Sequence, residues 1–280
     1  MSDTIHQMPV RRSRAVRIRP ADVAREAVIF AAAEMRATFT WRAYLSGWLL
    51  RLMLQTIFFA LVAGYFGDRV TRQHVLVGNA IVLGCLESMV IVLMMAQERQ
   101  AGTLPLLVIA PASHIPIYLG RGLQWMASGL VSSTVAFAIL PPLLGVPLPW
   151  PRAALALPLI PLICVSSYCY ACFLGAVGLK NMSITWLLLN LGYLPVMTFC
   201  GVNVPVSFWP LPLRVIADGL PVTHGLAAVR DVLAAAPAGT ILGQAALEAV
   251  VGACWLAVAS LALNRVVRQG IATGALEFGG

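Results

Sequence analysis

The sequence predicts an all-α integral membrane protein, and three observations support that fold class. Of the 280 residues, 60% are apolar, only 11% are charged, and the mean hydropathy is +0.85. A soluble domain is about 45–50% apolar and about 25% charged. Apolar runs of about 20 residues, enough for a helix to cross a bilayer, recur along the chain. Together these features predict six transmembrane helices.

The first 40 residues precede these runs and divide into two predicted parts. Residues 1–19 are rich in arginine and are predicted to form a disordered basic arm on the cytoplasmic side. Residues 20–40 are predicted to form an amphipathic interfacial helix, because Val28, Ala31 and Met35 recur at helical spacing while charged residues occupy other faces. A simple extension of the first span is the alternative. The late start of the first apolar run argues against a cleavable signal peptide.

Residues 41–270 are predicted to form one six-span domain, and residues 271–280 a cytoplasmic tail. The apolar segments are Ala43–Phe66, Val75–Ala96, Leu119–Leu140, Ala153–Leu179, Ile184–Phe199 and Ile241–Asn264. Small residues recur at every fourth position in three of them, as at Ala80, Gly84 and Ser88 in the second. Such ridges allow helices to approach closely in lipid, so a packed bundle is expected.

Basic residues divide unequally between the two sets of connecting segments. With the N-terminus placed inside, more than twice as many Lys and Arg residues lie on the cytoplasmic side as on the opposite side. Because Lys and Arg concentrate in cytoplasmic loops, both termini are predicted to be cytoplasmic. The polar turn between the second and third spans then faces the cytoplasm. The basic residues lack interleaved aromatic residues, which argues against nucleic-acid binding.

Two connections on the opposite side are rich in proline. The stretch from Pro141 to Pro151 is predicted to be a stiff loop without helix. Residues 201–238 are too apolar for an ordinary loop and too interrupted by proline for a span. We therefore predict re-entrant outer helices before the last span, since non-helical backbone at membrane depth must be buried in protein or face a watery cavity. This element is a candidate lid.

Motifs for catalysis and nucleotide binding are missing from the sequence. The sole lysine, Lys180, stands outside any Walker A pattern, which excludes ATP use through a P-loop in this chain. The four histidines lack metal-ligand spacing, so neither a metal ligand nor a catalytic residue is predicted. Cys164, Cys169 and Cys172 have a spacing seen in iron–sulfur proteins. In so apolar a segment we interpret them as small packing residues.

Glu87 lies midway along the second predicted span, and an ionisable group inside a bilayer is a functional hypothesis by default. One interpretation is a proton relay or cation site. The favoured interpretation is a neutral or hydrogen-bonded side chain within the bundle, because no second acid lies at the same depth. Glu87 and Asn79 remain possible residues of a substrate path. Glu248 lies toward the outer end of the sixth predicted span.

Two stretches of the chain carry a family resemblance. Glu98-Arg99-Gln100-Ala101-Gly102-Thr103-Leu104-Pro105-Leu106-Leu107, followed by Ala110-Pro111-Ala112-Ser113, resembles the signature of the type-2 ABC transporter permeases. Gly201-Val202-Asn203-Val204-Pro205, with Pro221-Val222-Thr223-His224 and Arg230, is similar to the family's element after the fifth span. Pro105 departs from the usual pattern and is expected to shorten or kink the cytoplasmic helix.

The resemblance implies a coupling helix at about residues 98–112 that docks in a groove of a separate ABC ATPase subunit. That partner would bind ATP and Mg²⁺, and this chain would hold no cofactor and catalyse nothing. The implied partner-coupling residues are Glu98, Arg99, Gly102, Thr103, Leu104 and Leu107. The implied outer-gate residues are Gly201, Asn203, Pro205, Pro221, His224 and Arg230.

The function implied is the permease subunit of an ATP-driven exporter in the bacterial cytoplasmic membrane. It would work as a dimer with a second permease copy or a paralogue, surrounded by membrane lipid. The implied substrate is an amphiphilic natural product or drug, with multidrug or antibiotic efflux as the role. A polysaccharide or a lipid-linked glycan is the alternative substrate. A proton-coupled secondary transporter acting through Glu87 is the alternative of a different class.

Overall fold

The computed structural model describes residues 40–100, 114–179 and 182–273, together with four positions between 25 and 33. Every regular element in these residues is helical, and they contain no strand, which confirms the all-α prediction. The predicted arm 1–19, most of the interfacial helix 20–40 and residues 274–280 of the predicted tail lie outside the described residues.

The helices are numbered here in chain order. They are α1 (Trp41–Phe66), α2 (Arg69–Ser88), α3 (Val90–Gln100), α4 (His114–Gly120), α5 (Leu123–Leu143), α6 (Leu159–Gly178), α7 (Thr185–Phe199), α8 (Leu211–Asp218), α9 (Thr223–Leu233) and α10 (Ala238–Thr273). Near its start, α1 takes a π-helical form over Tyr44–Leu49. Short 3₁₀ turns occupy Arg152–Ala156, Met182–Ile184 and Val206–Phe208.

In the described part of the chain, five helical segments are long and apolar enough to cross a membrane. They are Trp41–Phe66, Arg69–Gln97, Ile115–Leu143, Arg152–Gly178 and Ala238–Gln269. These segments match five of the six predicted spans. The remaining one forms α7, whose 15 residues extend about 22 Å at 1.5 Å per residue. That length is below the hydrocarbon thickness of about 30 Å.

The segment formed by α2 and α3 lies at the centre of the bundle. It begins at an N-cap, where the Asp68 carboxylate accepts a hydrogen bond from the Thr71 N–H at 2.8 Å. This bond holds the pKa of Asp68 below its usual value. The α2 helix packs against α1, α5 and α6. In its most apolar stretch 89% of the residues are buried, against 28% for α1 and 22% for α10. Protein therefore surrounds α2, whereas α1 and α10 turn apolar faces outward.

Small residues bring α2 close to its neighbours. A Cβ added to Gly84 would lie 2.5 Å from the Cys164 sulfur on α6, and one added to Gly129 on α5 would lie 2.9 Å from the Gly84 carbonyl oxygen. The Ser133 hydroxyl donates to the Ile81 carbonyl of α2 at 3.1 Å. The predicted small-residue ridge in the second span therefore lies where three helices meet, which confirms its packing role.

The connection after α5 corrects one prediction. Pro141 and Pro142 lie inside the last turn of α5, so the loop without helix begins later than expected. The helix ends in a Schellman motif: the Val146 N–H donates to the Pro141 carbonyl at 2.8 Å, and the Gly145 N–H donates to the Pro142 carbonyl at 3.2 Å. Gly145 has a φ of 66°, which glycine adopts without a Cβ clash. The termination signal was this glycine and not the prolines.

Candidate functional site

The predicted coupling segment follows the central span. Glu98 and Arg99 belong to the last turn of α3, which ends at Gln100. Their side chains lie outside the described residues, as do Gly102, Thr103, Leu104 and Leu107 with the rest of 101–113. The coupling helix therefore stays a prediction.

The predicted outer-gate residues gather at one end of the bundle, where α2 begins and where α8 and α9 lie. We call this the α8–α9 end. Gly201, Asn203 and Pro205 follow α7 directly, Pro221 and His224 lie at the start of α9, and Arg230 lies within α9. Hydrogen bonds connect this end to both the central helix α2 and the last helix α10.

Asn79 joins α2 to the segment after α7. Its side-chain amide donates to the Asn203 side-chain oxygen at 2.8 Å and to the Val75 carbonyl of its own helix at 2.9 Å. Beside it, α2 and the segment are in direct backbone contact, since a Cβ added to Gly78 would lie 2.1 Å from the Val202 carbonyl oxygen. The structure thus brings together a predicted substrate-path residue and a predicted gate residue.

Arg230 joins α9 to the same two elements. Its Nη2 donates to the carbonyls of Gly201 at 2.7 Å, His74 at 3.3 Å and Val202 at 3.5 Å. No acidic side chain pairs with it among the described residues. Burial lowers the pKa of Arg230 to about 10, so the guanidinium remains protonated at neutral pH. A buried cation matched by carbonyl dipoles holds α9, α2 and the post-α7 segment together.

A cavity of about 330 Å³ opens beside Arg230. Its lining residues are Val70, Gln73, His74, Val77, Arg230, Leu233 and Ala234. Nε2 of His74 and Nε of Arg230 are buried and make no hydrogen bond to a described residue. The wall therefore combines polar nitrogen atoms with apolar side chains.

Glu248, on the last helix α10, forms hydrogen bonds to the start of α9. It is fully buried on α10. Its two carboxylate oxygens accept hydrogen bonds from the backbone N–H groups of Val222 and Gly225, both at 2.9 Å. These N–H groups would otherwise be orphaned at the helix start, and the negative charge complements the helix dipole. Val222 has a φ of 80°, a strained value for a β-branched residue.

Two other side chains of α10 contact the turn between α8 and α9 and the start of α9. The Gln244 side-chain oxygen lies 2.9 Å from His224 Nδ1, and the Trp255 indole N–H donates to the Gly219 carbonyl at 2.9 Å. Gln244, Glu248 and Trp255 recur at helical spacing and therefore share one face of α10. Sequence reasoning missed this face as a site, although an acid in an apolar helix was the available signal.

Glu87 is fully buried on α2, which packs against α5. Its neighbours include Ser128, Ser132, Trp48 and Arg51. The Arg51 guanidinium lies over the Trp48 ring, 4.8 Å from the ring centroid. Within the described ranges there is no group of three His, Cys, Asp or Glu residues that could hold a metal ion.

Comparison with known proteins adds one match. A family model described as ABC-2 type transporter covers residues 29–234. The matched range includes the predicted coupling segment and ends just after α9, so the α10 face formed by Gln244, Glu248 and Trp255 lies beyond it. None of the curated proteins matches the chain significantly.

Proposed function

Because the chain belongs to the ABC-2 type transporter family, we propose that it is the permease subunit of an ATP-driven exporter. The family is a membrane component of ABC transporters that works with an ABC ATPase subunit. The apolar helices make this chain a multi-pass membrane protein. The single observation that carries the proposal is the family match over residues 29–234, which includes both stretches whose sequences resemble permease motifs.

We place α7 as the fifth of six crossings, between α6 and the α8–α9 end. Four large apolar side chains of α7 are exposed, as expected of a helix that meets lipid: Trp186, Leu187, Leu191 and Leu194 are each more than half exposed. Six crossings put both termini on one side, in agreement with the excess of basic residues assigned to the cytoplasm. The α8–α9 end is then the outer end, and its short helices are the re-entrant element.

The central span supplies a route from ATPase to gate. Arg69–Gln97 has 29 residues, about 43 Å of helix. The coupling segment 98–112 directly follows one end of it. At the other end, Asn79 bonds Asn203, and the His74 carbonyl bonds Arg230. ATP binding by two partner ATPases would move the coupling segment, and the central span would carry that motion to the outer gate.

The remaining features of the proposal follow the family. The working unit is a pair of permeases, either two copies of this chain or this chain with a paralogue, in the bacterial cytoplasmic membrane with both termini inside. ATP and Mg²⁺ bind the partner ATPases, and this chain is not an enzyme. The substrate class is an amphiphilic natural product or drug, with multidrug or antibiotic efflux as the role. A polysaccharide or lipid-linked glycan is the alternative.

The test removes the charged pair at the start of the coupling segment. We expect Glu98→Ala with Arg99→Ala to leave the ATPase subunit bound during purification but to separate ATP hydrolysis from export in reconstituted vesicles. The matched control is Arg25→Ala with Glu26→Ala, which removes an adjacent acid–base pair from two exposed positions. Export that is unchanged in the Glu98/Arg99 variant, or purification without any ATPase-sized partner, contradicts the proposal.

One observation favours a second candidate function. The Glu87 side chain is fully buried in the central span, as expected for a site that binds and releases a proton. A proton-coupled transporter would transport in vesicles without an ATPase, and Glu87→Gln would abolish that transport. An ATP-driven exporter retains transport in the same variant.

A further inference from the structure

The cavity beside Arg230 has the chemistry of a site for a charged amphiphile. It lies between the start of α2 and the end of α9, at the α8–α9 end. Val70, on its rim, is 73% exposed, so the cavity opens at the surface of the bundle. Its volume of about 330 Å³ is near the lower limit of small-molecule pockets, about 300–1,000 Å³.

The charge around the cavity is positive. Arg230 lines it with a guanidinium that has no acidic partner among the described residues, and Nη1 of that group bonds to none of them. Arg69 and Arg72 stand in the first turns of α2 but do not line the cavity, and Arg72 packs against Gly64 of α1. In the described part of the chain, four acids lie at this end: Asp68 caps α2, Asp218 ends α8, Asp231 follows Arg230 and Glu248 binds the start of α9, and none of them lines the cavity. An anion in the cavity therefore meets a cation with free hydrogen-bonding capacity.

The buried donor of Arg230 points to an oxygen-rich ligand. Nε of Arg230 is buried and lacks a partner among the described residues, and a buried N–H without an acceptor is costly. Guanidinium groups bind phosphate and carboxylate in a planar, two-point geometry. Gln73 supplies a further amide in the lining. Val77 and Leu233, also in the lining, offer apolar contact.

We propose that this cavity binds the phosphate or carboxylate group of an anionic amphiphile, with Arg230 as the main charged contact and the apolar part of the ligand against Val70, Val77 and Leu233. The inference deepens the proposed function by naming the charge of the ligand and the place where it binds. Binding to the chain needs no ATP, so it can fail or succeed independently of export.

The site shares Arg230 with the outer gate, so we expect ligand binding to affect the gate. The guanidinium that faces the cavity also holds the carbonyls of Gly201 and His74. A ligand oxygen on Nε or Nη1 shares one guanidinium with the carbonyls held by Nη2, so we expect binding and the attachment of the post-α7 segment to α2 to be thermodynamically linked.

The experiment measures binding of dihexanoyl phosphatidate to the purified full chain by isothermal titration calorimetry in a neutral maltoside detergent. Inorganic phosphate and uncharged dihexanoyl glycerol are titrated in parallel, to separate the headgroup from the acyl chains. We expect phosphatidate to bind at least about tenfold more tightly than either. Inorganic phosphate that binds as tightly as phosphatidate overturns the amphiphile assignment, and dihexanoyl glycerol that does so overturns the role of the charge.

Variants locate the site. Arg230→Gln removes the charge but also alters contacts that support the fold. Ala234→Phe instead fills the cavity from an exposed position and leaves those contacts in place. The control Ala238→Phe makes the same change at an exposed position outside the lining. We expect both cavity variants to weaken phosphatidate binding by about tenfold or more, with Ala238→Phe unchanged. Full binding by Ala234→Phe overturns the proposal.

Discussion

The carboxylate of Glu248 accepts a hydrogen bond from the backbone N–H of Gly225 at 2.9 Å, and this contact joins the last long helix to the start of α9. Gly225 permits the approach: a Cβ there would lie 2.3 Å from Ile163 of α6 and 3.2 Å from Glu248 Cγ. Three helices therefore meet at one backbone position. A charged side chain is stable there because two N–H donors satisfy it.

Removing this carboxylate should destabilise the protein. Glu248→Ala leaves two buried N–H groups without a partner, at about 1–3 kcal/mol each, so we expect a free energy of unfolding lower by about 2–6 kcal/mol. Glu248→Gln keeps one acceptor oxygen and should fall between the parent and the alanine variant. Thermal melting of the purified proteins in detergent measures this order of stability. Gln244→Ala, which loses a half-exposed contact on the same face of α10, should have a smaller effect than Glu248→Ala. A Glu248→Ala protein that melts with the parent contradicts the capping role.

Gly78→Ala should displace the segment after α7. The new Cβ would lie 2.1 Å from the Val202 carbonyl oxygen, a backbone atom that cannot move alone. We expect a large drop in melting temperature or loss of folded protein. Gly243→Ala on α10 is the matched control, because nothing lies within 4 Å of a Cβ there. Helix propensity favours alanine by about 1 kcal/mol, so that variant should melt at or slightly above the parent temperature. Equal melting of the two variants would show that the α2 contact is looser than described.

The Asn79–Asn203 hydrogen bond should appear as an energetic coupling. Asn79→Ala and Asn203→Ala each remove one partner, and the double variant removes both. In a double-mutant cycle of unfolding free energies, we expect a coupling of about 0.5–1.5 kcal/mol. Asn190 provides a control, since its amide donates to the Trp186 carbonyl of its own helix. Asn79→Ala combined with Asn190→Ala should be additive, and additivity in the first cycle would argue against the contact.

Acid should weaken the cap of α2. The bond from Thr71 holds the pKa of Asp68 below its usual value. The stabilisation by the charged carboxylate is therefore complete above the unfolded pKa of about 3.9 and is lost as the pH falls through the lower native pKa. Asp68→Asn keeps a capping oxygen without the charge. We expect the melting temperature of Asp68→Asn to fall less than that of the parent between pH 7 and about pH 3. Parallel curves would assign the acid sensitivity to other groups.

Much of the helical framework was predictable, because a helix that crosses a bilayer must be long and apolar. Both properties can be read directly from the sequence. The residues at which helices begin and end were harder to predict. The second span was predicted from Val75, yet its helix begins at Arg69, because the Asp68 cap supports a polar first turn that a search for apolar residues omits. The fifth predicted span, Ile184–Phe199, agrees closely with α7, which ends at Phe199 before the glycine turn of Gly201.

At the α8–α9 end, the sequence predicted several of the residues involved but not the contacts that they make. Family resemblance named Asn203 and Arg230, but their partners are carbonyls and amides far away in sequence, such as His74 and Asn79. A backbone carbonyl has no sequence signature. The role of Glu248 depended on which turn would pack against α10, which tertiary structure alone decides.

The central position of α2 has a consequence for biogenesis. Asn79 and Glu87 lie in a span surrounded by protein, but α5 and α6, which cover it, are made later in the chain. Roughly 80 residues separate the end of the central span from the end of α6, which takes about 4–16 s at about 5–20 residues per second. During that interval Asn79 and Glu87 have been synthesised, but the helices that will bury them have not. The insertion machinery or a chaperone must therefore shield this helix until the bundle closes around it.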